Sequence, residues 1–306
     1  MNASRDARLE VVSRLPGKPA RQTPLLFVHG AFTAAWCWDE HFLNFFADAG
    51  YAAHALSLSG HGRSAGREHL DSLSIDDYVN DVVEVMAGLP VPPVLVGHSM
   101  GGFVVQKVLE RQGFAAGPLQ GEASHGHGAA AGSEHPSSTS AESGPGGRPS
   151  GVPGAVLMCS VPPQGLVAAA FGMLFSRPSL LKDLNRMMSG KQVSLDALSE
   201  ALFAQPVMAE DLQRYYRLAQ AESHRALWDM SLFNLPHPSR IDASRLLILG
   251  TEYDHLIPAS LVEMTARAYG IEAMIFPAMG HGLMLEQDWE KPARHVLDWL
   301  EEGKYE

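Results

Sequence analysis

Short runs of β-branched and leucine residues alternate along the chain with stretches whose apolar positions recur at helical spacing. The runs Leu25–Val28, Ala52–Leu58, Val94–Gly97, Ala155–Cys159, Leu246–Leu249 and Ala273–Phe276 predict strands, and Arg8–Ser13 predicts a further one at the N-terminus. Between them, Trp38–Ala49, Ile75–Ala87, Gly102–Arg111, Ala259–Tyr269 and Trp289–Glu302 read as amphipathic helices. Strands that are apolar throughout bury both faces. The pattern therefore predicts an α/β architecture, a mostly parallel central sheet with helices on both faces.

Two stretches break this rhythm. Of the 39 residues of Ala115–Pro153, 28 are Gly, Ala, Ser or Pro. With Leu119 and Val152 as the sole large aliphatics and no aromatic ring, the segment buries too little surface to offset its ordering entropy. It reads as a disordered surface insertion, 115–153, between a helix and the next strand. Its His125, His127 and His135 are weak candidate metal ligands without a folded geometry, so a solvated linker is the expected role. The second stretch, Val161–Asp242, reads as helical and interleaves Met173, Met187, Met188, Met208 and Met230 with Phe171, Phe175, Phe203, Tyr215, Tyr216, Trp228 and Phe233. Such a stripe either packs on the core or roofs the strand ends and lines an adaptable apolar pocket. The expected organisation is a core of 1–160 and 243–306 with 161–242 as a helical cap.

With 306 residues, the chain is long enough for one large domain carrying an insertion. A net charge of −11 argues against a nucleic-acid or anionic-membrane partner. The two cysteines, Cys37 and Cys159, lie in apolar stretches and read as buried thiols. Met1–Gln22 is polar, and no apolar run reaches the ~18 residues of a bilayer span, so a cytoplasmic protein is expected.

The densest chemical signal is Gly97-His98-Ser99-Met100-Gly101, which ends the run Pro93–Val96 and leads into Gly102–Leu109. Strand, sharp turn and helix with serine at the apex form a nucleophile elbow. The turn exposes the hydroxyl, and the following helix aims N–H groups and its positive dipole end at any anion formed there. A serine needs a base, and the base a group that holds its tautomer. Of 14 histidines, His281 follows the last predicted strand between Gly280 and Gly282. Asp254 follows the preceding strand, with Glu252 as its rival. Parallel strands open their carboxyl ends onto one crevice, which brings Ser99, Asp254 and His281 together there. An oxyanion would take one donor from the Met100 N–H and another from Ala31, with Phe32 the alternative, in the loop after Val28. His29 and His98 are expected to be structural.

With these residues in hand, the chain resembles the α/β-hydrolase fold superfamily over roughly residues 20–114 and 154–303. The resemblance rests on Val28-His29-Gly30-Ala31-Phe32, Gly60-His61-Gly62-Arg63-Ser64, Gly97–Gly102, Gly250–Asp254 and Gly280-His281-Gly282. It implies Ser99 as nucleophile, Asp254 as acid, His281 as base, a helical cap over 161–242, and neither cofactor nor metal. Without the insertion, Ser99 and Asp254 stand 116 positions apart, as in ordinary relatives. Leu56-Ser57-Leu58-Ser59 lacks the aspartate common before Gly60, which puts loop packing in question. The expected function is hydrolysis of a small apolar carboxylic ester through an acyl-enzyme. Carbon–carbon bond hydrolysis, perhydrolysis or lyase chemistry on the same triad, and a hydrolase-shaped binding protein, are the alternatives. A lyase would want a further charge in the pocket, for which Lys182, Arg186, Arg214, Arg217, His224 and Arg225 are candidates.

Overall fold

The structure is a computed structural model; it describes residues 8–17, 20–114, 151–167, 186, 194–303 and 305. Its centre is a seven-stranded sheet: β1 (Glu10–Arg14), β2 (Leu25–Val28), β3 (Ala53–Ser57), β4 (Val94–His98), β5 (Ala155–Met158), β6 (Leu246–Thr251) and β7 (Met274–Phe276). The spatial order is β1-β3-β2-β4-β5-β6-β7, and only β1, at the edge, runs antiparallel. The predicted α/β architecture is what the chain adopts.

Along β2 the side chains divide between two cores. Leu25 and Phe27 join Phe42, Phe46 and Leu300 on one face, while Leu26 and Val28 join Phe103, Val104 and Val108 on the other. Burial of each such side chain is worth about 1.5–3 kcal/mol, which is why these central strands are apolar at every position. The covering helices include α1 (Trp36–Asp39), α2 (Phe42–Asp48), α3 (Ile75–Gly88) and α4 (Met100–Gln112). Ser74 caps α3 through a reciprocal bond with Asp77.

The helix expected over Trp38–Ala49 is two helices instead. His41 breaks it with φ −138°, ψ −52°, and its ring stacks on Trp289 with centroids 4.7 Å apart. This break lets both Trp38 and Phe42 reach Phe27, at 5.0 and 6.3 Å. Helical periodicity alone does not reveal such a change of direction.

The stretch before Gly60 that lacks an aspartate is held from another element. Asp81 of α3, 1% exposed, accepts from Ser59 N–H (2.7 Å) and Ser59 Oγ (2.9 Å), and Arg8 pairs with it at 2.7 Å. Residues 115–150 of the insertion lie outside the described residues, as do His125, His127 and His135. At its C-terminal end Val152 is fully buried and forms a parallel bridge with Phe114. The described residues on either side of 115–150 are therefore neighbours.

Between β5 and β6 lie α5 (Leu195–Leu202), α6 (Ala209–Leu218) and α7 (His224–Trp228), followed by a single π-helical turn, Asp229–Phe233. After β6 come α8 (Ala259–Tyr269) and α9 (Glu290–Glu302). Among the described residues, no helix is long and apolar enough to cross a membrane.

Candidate active site

The register of the sheet brings the predicted residues to one edge. His98 pairs with Met158, Met158 with Leu249, and Thr251 with Phe276, so the loops after β4, β5, β6 and β7 emerge side by side. Ser99 follows β4 directly, at φ 53° and ψ −118°, a conformation that a residue with a side chain holds only when its surroundings impose it. They do so here through glycine. A Cβ on Gly97 would stand 2.5 Å from the Gly101 carbonyl oxygen, and one on Gly101 would strike the carbonyls of Val28 and His29. Strand and helix therefore cross at backbone contact, and α4 begins at Met100, two residues earlier than the periodicity suggests.

Asp254 is buried, with its carboxylate fully committed. Its Oδ1 accepts from the N–H groups of Leu256 (2.8 Å) and Ile257 (2.7 Å), and its Oδ2 lies 2.7 Å from Nδ1 of His281. The rival Glu252 is exposed, and its carboxylate accepts from the Ala278 N–H instead. His281 and Ser99 line one cavity of about 160 Å³ together with Gly30, Ala31, Phe32 and Met100.

The two structural histidines are explained by their bonds. His29 Nε2 accepts from the Leu58 N–H (3.0 Å) while its Nδ1 donates to the Gly30 carbonyl (2.8 Å). Desolvation, with the neighbouring His61, depresses its pKa to about 3. His98 donates from Nε2 to the His281 carbonyl at 2.9 Å, and burial, with the neighbouring His281, holds it far below the usual range. It is thus a neutral anchor for the His281 loop, 4.6 Å from the other ring, and adds no charge to oppose an imidazolium at His281.

The segment between β5 and β6 supplies much of the cavity wall. Ala197, Leu198, Ala201 and Leu202 present one face of α5, and Tyr215 and Met230 join them. The aromatic and methionine stripe thus divides. Tyr215 and Met230 line the cavity, and Phe203 packs buried against Tyr215, whereas Met208, Trp228 and Phe233 face solvent. Phe171, Met173, Phe175, Met187 and Met188 lie outside the described residues.

Sequence reasoning missed several partners of the loops that carry Asp254 and His281. Buried Glu286 accepts from the Gly280 N–H (3.1 Å) and, through its other oxygen, from the Ala204 and Gln205 N–H groups. Gly282 donates to the Leu202 carbonyl at 2.7 Å. The end of α5 thus lies against the His281 loop, which is why Gly280 and Gly282 carry no side chain: a Cβ on Gly280 would be 2.8 Å from the Leu202 oxygen. Those flanking glycines were the available signal. Buried Cys159 stands in the cluster with Asp254 and His281, their polar atoms all within 4.8 Å. That donor set fits hydrogen bonding better than a metal. Both Asp254 oxygens are occupied, its 2.7 Å contact with His281 is a hydrogen-bond distance, and burial, with Asp254 beside it, pushes the Cys159 thiol up and away from thiolate.

Comparison with known proteins agrees with this fold. A model described as the alpha/beta hydrolase family matches residues 25–294. Methyl jasmonate esterase 1 of Vitis vinifera is 37% identical over 94 residues, 30% of this chain and 35% of that protein. Pyrethroid hydrolase of Sphingobium wenxiniae is 31% identical over 80 residues, 26% of this chain and 28% of that protein. The chain therefore spans about a third of the length of the curated relatives it matches. The esterase from Exiguobacterium antarcticum superimposes with a TM-score of 0.63 at 19% identity, covering 96% of this chain and 95% of that one, a likeness of fold.

Proposed function

The chain belongs to the alpha/beta hydrolase family, and on that premise we propose that it is a serine carboxylic-ester hydrolase that cleaves a small apolar ester through an acyl-enzyme. The observation that carries this reading is the 2.7 Å contact of Asp254 Oδ2 with His281 Nδ1, at the wall of an apolar cavity that Ser99 also lines. The contact holds the proton on Nδ1 and leaves Nε2 to act as base. Ser99 is the nucleophile, and its proton passes to His281 as oxygen attacks the ester carbonyl. The tetrahedral anion receives the Met100 N–H, which as the first residue of α4 has no intrahelical acceptor, and the Ala31 N–H, with Phe32 as rival donor. His281 then protonates the leaving alcohol. A water activated by the same base releases the acid.

In this reading 161–242 is the cap that sets substrate shape. Its wall argues for an ester over lyase chemistry, because no Lys or Arg among the described residues lines the cavity. Arg214 is held by Glu40 and Asp211, Arg225 by Asp229 and His224 by Asp71, while Arg186 and Arg217 face solvent. Lys182 lies outside the described residues. The names of the esterase relatives support the same class.

The test compares wild type with Ser99→Ala in fluorophosphonate labelling and in a chain-length series of chromogenic esters. Labelling and turnover are expected in wild type and neither in the variant, with the fold intact because only a hydroxyl is removed. Unchanged turnover in Ser99→Ala would rule the mechanism out.

A further inference from the structure

Gln220 joins three parts of the molecule through four hydrogen bonds. Its backbone N–H donates to the Phe32 carbonyl at 3.0 Å, and its side-chain Nε2 donates to the Thr33 carbonyl at 3.1 Å. Its Oε1 accepts from the Gly62 N–H at 3.2 Å and from Arg67 Nη1 at 3.3 Å. Arg67 in turn donates to the Gly60 carbonyl at 3.0 Å. The residue stands two positions beyond the end of α6, next to Ala219, which lines the cavity.

The two carbonyls it binds belong to the loop that faces Ser99. Phe32 holds φ at 65°, a left-handed conformation that costs a residue with a Cβ about 1 kcal/mol or more. Such a conformation persists only where neighbours over-determine it. The directions of the Ala31 and Phe32 N–H groups follow from the torsions on either side of them. Within the loop, Thr33 Oγ1 donates to the Gly30 carbonyl at 3.0 Å, and His29 Nδ1 donates to the same oxygen. From outside, the two bonds from Gln220 hold the carbonyls of Phe32 and Thr33, so Gln220 braces the loop where it carries its strain.

We propose that Gln220 is a positioning residue for oxyanion stabilisation, holding the 31–33 loop so that its N–H meets the tetrahedral intermediate. The proposal rests on the hydrolase reading above. Gln220 acts only through the loop. Donors aimed at the oxyanion act chiefly on the transition state. A loosened loop therefore lowers kcat while leaving ground-state binding of a small ester nearly untouched.

The experiment uses two variants of the full chain. Gln220→Met keeps the length of the side chain and removes both of its polar ends. Gln220→Glu keeps an acceptor for Gly62 and Arg67 but loses the donor to Thr33. For a short-chain p-nitrophenyl ester, kcat is expected to fall about 10- to 100-fold in both, with KM within about twofold. The affinity for a trifluoromethyl ketone, whose hemiketal oxygen takes the same donors, should fall by the same factor as kcat. Arg67→Met, which leaves the Thr33 bond in place, should lose less than Gln220→Met and keeps the comparison informative if the latter folds poorly. Unchanged kcat in Gln220→Glu would overturn the proposal, as would a rise in KM with ketone affinity preserved, the mark of a merely distorted cavity. Wild type that neither turns over esters nor takes a fluorophosphonate at Ser99 would overturn the hydrolase reading itself, and the two failures are told apart on that point.

Discussion

A methyl group on Gly30 would lie 3.0 Å from the Cβ of Ser99 and 3.0 Å from Nδ1 of His98. The loop after β2 thus rests directly on the apex of the turn after β4, leaving no room for even the smallest side chain. Gly30→Ala is therefore expected to push the loop away by a few tenths of an ångström. Melting should change little, because the two strained contacts are each short by only a few tenths of an ångström. Ester turnover should fall about tenfold, because small displacements of a positioned group are costly in the transition state. Parallel measurement of kcat and melting temperature checks this; an equal effect on both would mean that the loop is structural.

Asp254 is expected to matter through its charge and its orientation together. In Asp254→Asn the amide oxygen can still accept from the Leu256 and Ile257 N–H groups, which turns the NH₂ toward His281. Nδ1 must then accept, and the proton moves to Nε2, where a base is needed. Turnover should drop by about three to four orders of magnitude. Glu252→Gln, whose carboxylate faces the Ala278 N–H, should stay within about twofold. A large loss in the Glu252 variant with a small one at Asp254 would reverse the assignment.

The insertion is expected to be dispensable. Phe114 and Val152 are already neighbours, so deletion of 119–150 leaves a short connection between two fixed points. For a chain free between its ends, the shorter loop costs about 1–2 kcal/mol less to close. Turnover should be unchanged and chemical denaturation shifted slightly toward stability. Loss of the folded state would show that the insertion contributes packing.

Two residues after Gln220, buried Glu222 faces buried His61. Glu222 Oε2 stands 3.0 Å from Nε2 of His61, a contact without good hydrogen-bond alignment, while Glu222 Oε1 accepts from Tyr78 OH (2.7 Å) and the Ser223 N–H. Desolvation is the largest single effect and lowers the His61 pKa, but the charge and closeness of Glu222 together with the bond from His61 Nδ1 to the Ser59 carbonyl outweigh it, and the net shift is upward despite nearby Arg67. The folded state therefore holds the His61 proton more tightly than the unfolded chain. That stability is complete below the ordinary value of 6.5 and is lost as pH rises through the folded value. His29 and His98, which are depressed, act in the opposite sense below 6.5. The difference between wild type and Glu222→Gln isolates the pair: its stability advantage should shrink as pH rises above 6.5. A constant difference across that range would mean that His61 is neutral in the fold.

What the sequence determined by itself was local. Apolar runs and helical periodicity located the strands to within a few residues, because each is encoded by side chains adjacent along the chain. The turn at Ser99 was readable for the same reason: Gly97 and Gly101 are the residues that its crossing of strand and helix permits. The order of Ser99, Asp254 and His281 followed once parallel strands placed their ends together. Only the tertiary structure shows which of Asp254 and Glu252, two positions apart on one loop, meets His281: the first turns toward it and the second outward. It also decided the break at His41, set by stacking on Trp289, and the hold of Asp81 on the stretch before Gly60 that lacks an aspartate. Gln220 against Phe32 and Thr33, Glu286 against Ala204, and Glu222 against His61 are polar pairs distant in sequence. No periodicity encodes such pairs. Their free energy exists only when two surfaces meet, and which surfaces meet is a property of the whole packed chain.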